Sequence, residues 1–219
     1  MSSKTRVKRN PKAQDQSLRT ALLASLVLLA AVAVLAVMYT FSRPAQNSEP
    51  GQYPYAVGVP GPGNPAPDFT LSDGGGGSFS LAAHRGQGVL LYFHEGGGCE
   101  ACWVQLRHLE GSTAQLKRLG IGRVVSITTE SLDVLAQRAA QEKTSIPLLS
   151  DASVQVSTAY TTNNYTMMND RYNGHSFILV DAQGIIRWRA DYGGAPRYTM
   201  YVPMPNLIAD IEQGLKGEQ

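Results

Sequence analysis

The apolar positions of this chain fall into two regimes. From Ala21 to Phe41 they form a nearly unbroken run, interrupted only by Ser25, Tyr39 and Thr40. Beyond about residue 66 they come in short runs bounded by Gly, Pro, Asn and Asp, the mark of alternating strands and helices. Asp68–Leu71 and Ser78–Leu81 predict a hairpin across the glycines at 74–77. Gly88–His94 predicts a buried strand, and Ala101–Leu119 a long helix with Trp103, Leu106, Leu109, Leu116 and Leu119 on one face. Arg123–Thr128 reads as a strand. A helix follows to Glu142 from Ser131 or Leu132, with Ser131 a plausible N-cap. Ile146–Leu149 reads as extended, and Ser153–Tyr160 as a helix. Ser176–Val180 and Ile185–Ala190 form a hairpin around Asp181-Ala182-Gln183-Gly184, and Pro205–Leu215 is a last helix. This order predicts an α/β fold, a central mixed sheet flanked by helices.

The long apolar run changes the setting of that domain. At about 1.5 Å per residue it reaches roughly 30 Å, the hydrocarbon thickness of a bilayer. Ahead of it stand Lys4, Arg6, Lys8, Arg9, Lys12 and Arg19 against one acid, Asp15. The positive-inside rule keeps such a tail in the cytoplasm and sends the rest of the chain outside. The expected layout is a basic cytoplasmic tail (1–20), a single-pass signal anchor in the cell membrane (21–41), a Pro/Gly-rich linker (42–65), with Tyr53, Tyr55 and Val57 able to rest against the domain surface, and an extracytoplasmic domain (66–219). A cleaved signal peptide and a buried core helix are the alternatives. The run is long for a secretory h-region, and Tyr39-Thr40-Phe41-Ser42-Arg43 offers no good cleavage site. The chain as a whole is +2, so the basic tail outweighs a mildly acidic remainder. Its cations are scattered, which argues against nucleic acid as a partner.

The chain has two cysteines, in Cys99-Glu100-Ala101-Cys102, directly after the strand and at the start of the long helix. One helical turn brings two such thiols together, and a helix N-terminus favours a thiolate. A disulfide closing so short a loop adds little to stability, which argues for redox or metal chemistry over a structural staple. Cys99, ahead of the helix, is expected to be the exposed nucleophile and Cys102 the resolving sulfur. Glu100 between them disfavours a thiolate, and Gly96-Gly97-Gly98 leave the preceding backbone adaptable.

These elements resemble the thioredoxin fold and, within it, the peroxiredoxin-like AhpC/TSA or redoxin group. The resemblance rests on Ala66-Pro67-Asp68-Phe69-Thr70-Leu71, Val89-Leu90-Leu91-Tyr92-Phe93, Pro147-Leu148-Leu149-Ser150-Asp151 with Ala159-Tyr160, Phe177-Ile178-Leu179-Val180-Asp181 and Gly184-Ile185-Ile186-Arg187-Trp188. It covers about residues 60–215. The group's peroxidases carry P-x-x-x-T-x-x-C and a partner arginine. Laid on Cys102, that motif puts Glu95 at the proline and Cys99 at the threonine, and counting back from Asp181 puts His175 at the arginine. Thioredoxins hold a cis-proline at that place, and it is missing too. The resemblance therefore implies a dithiol facing His175, whose proton would stabilise a thiolate or shuttle to a leaving sulfur.

Three functions fit, in this order. The first is a membrane-anchored extracytoplasmic thiol–disulfide oxidoreductase with Cys99, Cys102 and His175 as catalytic residues and no cofactor. It would exchange with exported proteins or small thiols and disulfides, and with a reductant or oxidant that the sequence does not identify. The second is a thiol peroxidase. The third is a copper-binding chaperone resembling the Sco type, with Cys99, Cys102 and His175 as the metal site, although its cysteine spacing is one residue shorter than theirs. Met167, Met168, Met200 and Met204 add thioethers, for which packing is the simpler use. Thr161–Tyr172 and Tyr192–Met204 are expected to form lips around the site.

Overall fold

The computed structural model describes residues 25–35 and 49–217. Residues 25–35 are helical with exposed side chains, and belong to a unit separate from the domain that begins near residue 47. The rest of the expected 21–41 span, the basic tail and residues 42–48 lie outside the described residues. Among the described residues no helix is long and apolar enough to cross a membrane.

The domain is built on one seven-stranded sheet of order β2-β1-β5-β4-β3-β6-β7. The strands are β1 (Thr70–Asp73), β2 (Ser78–Ser80), β3 (Gly88–Phe93), β4 (Ile121–Thr128), β5 (Leu148–Ser150), β6 (Ser176–Val180) and β7 (Ile186–Asp191). β3, β4 and β5 run parallel, while β6 and β1 join this centre antiparallel. The sheet is therefore mixed, as the pattern predicts. The helices are α1 (Glu100–Gly111), α2 (Thr113–Arg118), α3 (Leu132–Glu142), α4 (Gln155–Ala159) and α5 (Met204–Leu215).

The alternation of β3 divides the core. Leu90 and Tyr92 face Trp103, Leu106 and Leu109 of α1 and Leu207 and Ile211 of α5. Val89, Leu91 and Phe93 face the opposite way, toward Phe69, Phe79 and Tyr160. Both faces are covered, so the strand is apolar throughout rather than alternating with polar residues.

One expectation changes. The single helix from Ala101 to Leu119 is two, because Gly111 and Ser112, poor helix formers, break it. The Ser112 N–H turns back to the carbonyls of Leu109 and Glu110 while its φ and ψ leave the helical region. The residues of the expected linker from 49 onward lie on the domain, in keeping with the apolar Tyr53, Tyr55 and Val57 within it. Ala56 bridges to Asp191 and Pro65 to Ile185, and Tyr55 packs edge-on against Trp188 and Tyr192. The Gly58 N–H donates to Asp191, and the Gly51 N–H to Asp210.

Candidate active site

The site forms where β3 ends. In the antiparallel pairing of β3 with β6, Phe93 lies opposite Ser176, so the next residues outward, His94 and His175, meet at the same edge of the sheet. The chain then leaves β3 through Glu95-Gly96-Gly97-Gly98 and enters α1 at Cys99. This is the carboxyl end of the parallel strands, where α/β sheets place their reactive groups.

Cys99 and Cys102 are joined in a disulfide, with their Cα atoms 5.3 Å apart. Cys99 is the N-cap of α1, and its sulfur accepts the Cys102 N–H at 3.2 Å. Cys99 is partly exposed, whereas Cys102 is fully buried. The two sulfurs thus differ in access, as expected from their places on the helix. Glu100 is exposed and paired with Arg107 at 2.7 Å, which offsets the charge it brings between the cysteines.

The glycine loop ahead of Cys99 is tied rather than adaptable. Gly96, at φ +90°, takes a conformation that suits glycine. Its N–H donates to His94 Nδ1, and its carbonyl accepts from Trp103 Nε1 at 3.1 Å and from the Cys99 N–H. The Gly97 N–H donates to Glu130 at 2.9 Å, and its carbonyl accepts from Arg138 at 3.1 Å. At the start of the loop, the Thr166 hydroxyl donates to Glu95, whose carboxyl burial raises above its ordinary value. Thr166 brings the expected lip at 161–172 to the redox loop. Gly174 and Gly193 admit it, since a Cβ on either would collide with the Tyr165 backbone.

Behind the dithiol lies a buried aromatic stack. Tyr92 is sandwiched between His94 and Phe177, with ring centroids 4.6 and 4.7 Å away. Its hydroxyl donates to the Cys102 carbonyl at 3.1 Å and lies 3.2 Å from His175 Nδ1. His175 is fully buried, and its Nε2 has no protein partner. Burial, reinforced by His94, lowers its pKa to about 3. Burial also lowers His94 to about 3. His94 accepts the Gly96 N–H at Nδ1, so its Nε2–H donates to Ser126 Oγ at 2.7 Å.

Each expected site residue therefore has a place. Cys99 and Cys102 are bonded to each other. His175 is connected to Cys102 through Tyr92, and at neutral pH it is uncharged. In this disulfide form burial, with no carboxylate beside the ring, keeps the imidazole neutral, and no thiolate is present to share a proton. The copper triad is not assembled either. Among the described residues no group of three or more His, Cys, Asp or Glu side chains is arranged to hold a metal ion. The sulfurs are spent on their mutual bond, and His175 is turned to Tyr92. Met204 packs against Gln105 in the core, while Met167 and Met168 are exposed.

Sequence reasoning did not find Tyr92, Glu130 or Arg138. The first reads as an ordinary member of an apolar strand, and the other two stand on segments distant from the cysteines in sequence. A tyrosine in a fully buried strand is the one available signal, since its hydroxyl needs a partner there.

A family model, the AhpC/TSA family, matches residues 62–189. Among curated proteins, the peroxiredoxin Bcp of Escherichia coli K12 is 33% identical over 127 residues, covering 57% of this chain and 81% of that protein. A putative peroxiredoxin of Mycobacterium tuberculosis H37Rv is 33% identical over 99 residues, covering 45% of this chain and 62% of its own length. Among solved structures, the peroxidoxin BcpB of Mycobacterium tuberculosis superposes with a TM-score of 0.58 at 18% identity, covering 75% of this chain and 99% of that one. The AhpC of Enterococcus faecalis does so with a TM-score of 0.58 at 17% identity, covering 71% of this chain and 92% of that one. At such identities these structures establish the thioredoxin-like fold.

Proposed function

The chain belongs to the AhpC/TSA family and is a peroxiredoxin-like, thiol-dependent oxidoreductase; from that premise we propose that it is a thiol peroxidase cycling between the Cys99–Cys102 dithiol and its disulfide. The family and its peroxiredoxin relatives favour this reading over disulfide exchange, which the sequence ranks first.

The observation that carries the assignment of roles is the contrast between the two sulfurs. Cys99 is accessible and accepts an amide N–H at the N-terminus of α1, where a thiolate is stabilised. In the proposed cycle the Cys99 thiolate attacks the terminal oxygen of a hydroperoxide. An S–O bond forms, the O–O bond breaks, and the departing oxygen takes a proton. Cys102 then gives up its proton and attacks the sulfenic sulfur as its thiolate, closing the disulfide, and the departing hydroxide takes up a proton and leaves as water. A donor dithiol, or two thiols, returns two electrons and two protons. His175 and Tyr92 act on the buried sulfur's side: their hydrogen bonds fix the Cys102 carbonyl and hence the first turn of α1.

The test uses the reduced full-length chain and its two single serine variants, treated with hydroperoxide and a sulfenate trap. The trap is expected on Cys99 in the Cys102→Ser protein. Sulfenate confined to Cys102 in the Cys99→Ser protein would transfer the peroxidatic role to the position at which the family carries it.

A second reading is thiol–disulfide exchange, in which Cys99 attacks a substrate disulfide instead. What favours it is Glu95, Cys99 and neutral His175 at the three positions where the family's peroxidases place proline, threonine and arginine. Rapid mixing of the reduced protein with hydroperoxide and with a model disulfide compares the readings directly. Faster oxidation by the disulfide would make exchange the function.

We place the reaction outside the cytoplasm, on a domain tethered by the apolar run at 21–41. Resistance of the chain to carbonate extraction, with release of a variant lacking residues 1–41, is the expected result. Extraction of the intact chain would exclude the anchor.

A further inference from the structure

Both flanks of Cys99 lead into one network of charges. Two residues before it, the Gly97 peptide is held on both sides, its N–H by the Glu130 carboxylate and its carbonyl by the Arg138 guanidinium. One residue after it, Glu100 pairs with Arg107. Arg107 and Arg138 share Glu142, at 2.9 and 3.4 Å, and the Glu142 side chain is only 8% exposed. Arg138 also lies over the Trp103 ring, 4.7 Å from its centroid, while Trp103 donates to the Gly96 carbonyl.

We propose that Arg138 and Glu130 are positioning residues for Cys99. They clamp the Gly97 peptide and, with opposite sign, set how readily the Cys99 thiol ionises. The proposal rests on the reading of Cys99 as the attacking sulfur. Three consecutive glycines have no side chains with which to fix their own path, and ordering them costs more backbone entropy than any other residues would. The fixing must come from elsewhere, and here it comes from residues of the β4–α3 region. The charges matter as well as the geometry. A cation beside the loop favours a thiolate and an anion disfavours it. Position 175, where the resemblance places a cation, holds a neutral imidazole, and Arg138 brings a guanidinium to the redox loop from α3 instead.

The experiment follows iodoacetamide alkylation of the reduced full-length chain in detergent as a function of pH, with Cys99 resolved from Cys102 by mass spectrometry. A charge change of this kind corresponds to on the order of one pKa unit at most, so Arg138→Gln is expected to slow Cys99 alkylation at pH 7 by about three- to tenfold and move its midpoint upward. Arg138→Lys, which keeps the charge, restores alkylation to within about twofold of the native rate. Glu130→Gln moves the midpoint downward and speeds alkylation. A merely structural role would leave both midpoints in place or move them in the same direction, and either result overturns the proposal. If Arg138→Gln does not fold, Glu130→Gln decides alone: a midpoint that stays or rises overturns it. Alkylation needs no peroxide, so a chain inactive toward hydroperoxides but showing the opposed shifts would sink the peroxidase reading and leave this one standing.

Discussion

The redox loop at 94–99 and the strap at 51–65 face the same physical problem and meet it differently. Each crosses the domain with few strand partners, so side chains from elsewhere must satisfy its backbone. Along the strap those side chains are buried and mutually paired. Arg189 and Asp191 are fully enclosed and joined by two hydrogen bonds, Arg189 also donates to the Pro60 carbonyl, and Asp191 also accepts the Gly58 N–H. Around the redox loop the supports of Gly96 (His94 and Trp103) are buried, but the charged clamps on Gly97 (Glu130 and Arg138) are partly exposed, as is Cys99 beside them. One region is built to hold and the other to react. Substitutions should separate stability from reactivity along this line.

The largest effect is expected at the sulfur itself. Cys99→Ser should reduce turnover of any thiol-dependent substrate to the uncatalysed background, since no other thiol occupies an exposed position. Its unfolding midpoint under reducing conditions should stay near that of the native chain. Retained turnover would mean that Cys102 acts without its neighbour, and a large loss of stability would erase the distinction between the regions.

Asp191→Ala is the counterpart on the strap. It strands a buried guanidinium and frees the Gly58 N–H, a change that typically costs about 3–5 kcal/mol. Urea unfolding of the reduced domain should show that loss, while Cys99 alkylation of the folded fraction stays unchanged. A cost below about 1 kcal/mol would mean that water replaces the carboxylate and that the strap is not a stabilising element.

How much of this contrast the sequence reveals follows from the range over which each signal acts. The succession of strands and helices along the chain, the Ser131 cap and the pairing of Cys99 with Cys102 depend on neighbours within a few residues, and they read directly. The meeting of His175 with the dithiol's strand follows from the resemblance, and the β3–β6 register explains it. The strap's Pro/Gly composition carries no periodicity, so the sequence offers only Tyr53, Tyr55 and Val57 as a hint that it packs, and what holds it, Asp191 and Asp210, lies more than 100 residues away. The clamps Glu130 and Arg138 are likewise beyond the reach of local pattern, 33 and 41 residues from Gly97. A glutamate in a β4–α3 turn and an arginine on a surface helix look like any solvated charges until a glycine loop is laid against them.

Acid should weaken the redox end specifically. His94 and His175 are neutral in the fold with pKa values of about 3, against about 6.5 when unfolded. Above pH 6.5 neither state binds the proton, so stability is fully present there. As pH falls from 6.5 toward 3 the unfolded chain takes up protons that the folded one refuses, and stability is lost. At pH 5 the loss is about 2 kcal/mol per histidine. Asp210 and Glu95, whose pKa values burial raises, oppose this trend in part, since they bind protons more readily in the folded state. Replacing His175 with Asn should flatten the fall between pH 7 and 5 by about the contribution of one histidine. An unchanged slope would show that the ring is protonated inside the fold.

The finest comparison sets one tyrosine against another. Tyr92 donates to the Cys102 carbonyl and contacts His175, and Tyr192 donates to Asp210 at 2.6 Å on the strap side. Removing either hydroxyl leaves a buried polar partner less satisfied, so each Phe variant should lose about 1–2 kcal/mol. Stability alone does not distinguish them. The Tyr192→Phe protein should keep the native rate at which its disulfide is reduced by dithiothreitol. In Tyr92→Phe the first turn of α1 loses its fixed carbonyl, and the rate should change while the loss of stability stays the same. Equal reduction rates in the two variants would place Tyr92 with the scaffold and leave the reactive end of the molecule to the Gly97 clamp alone.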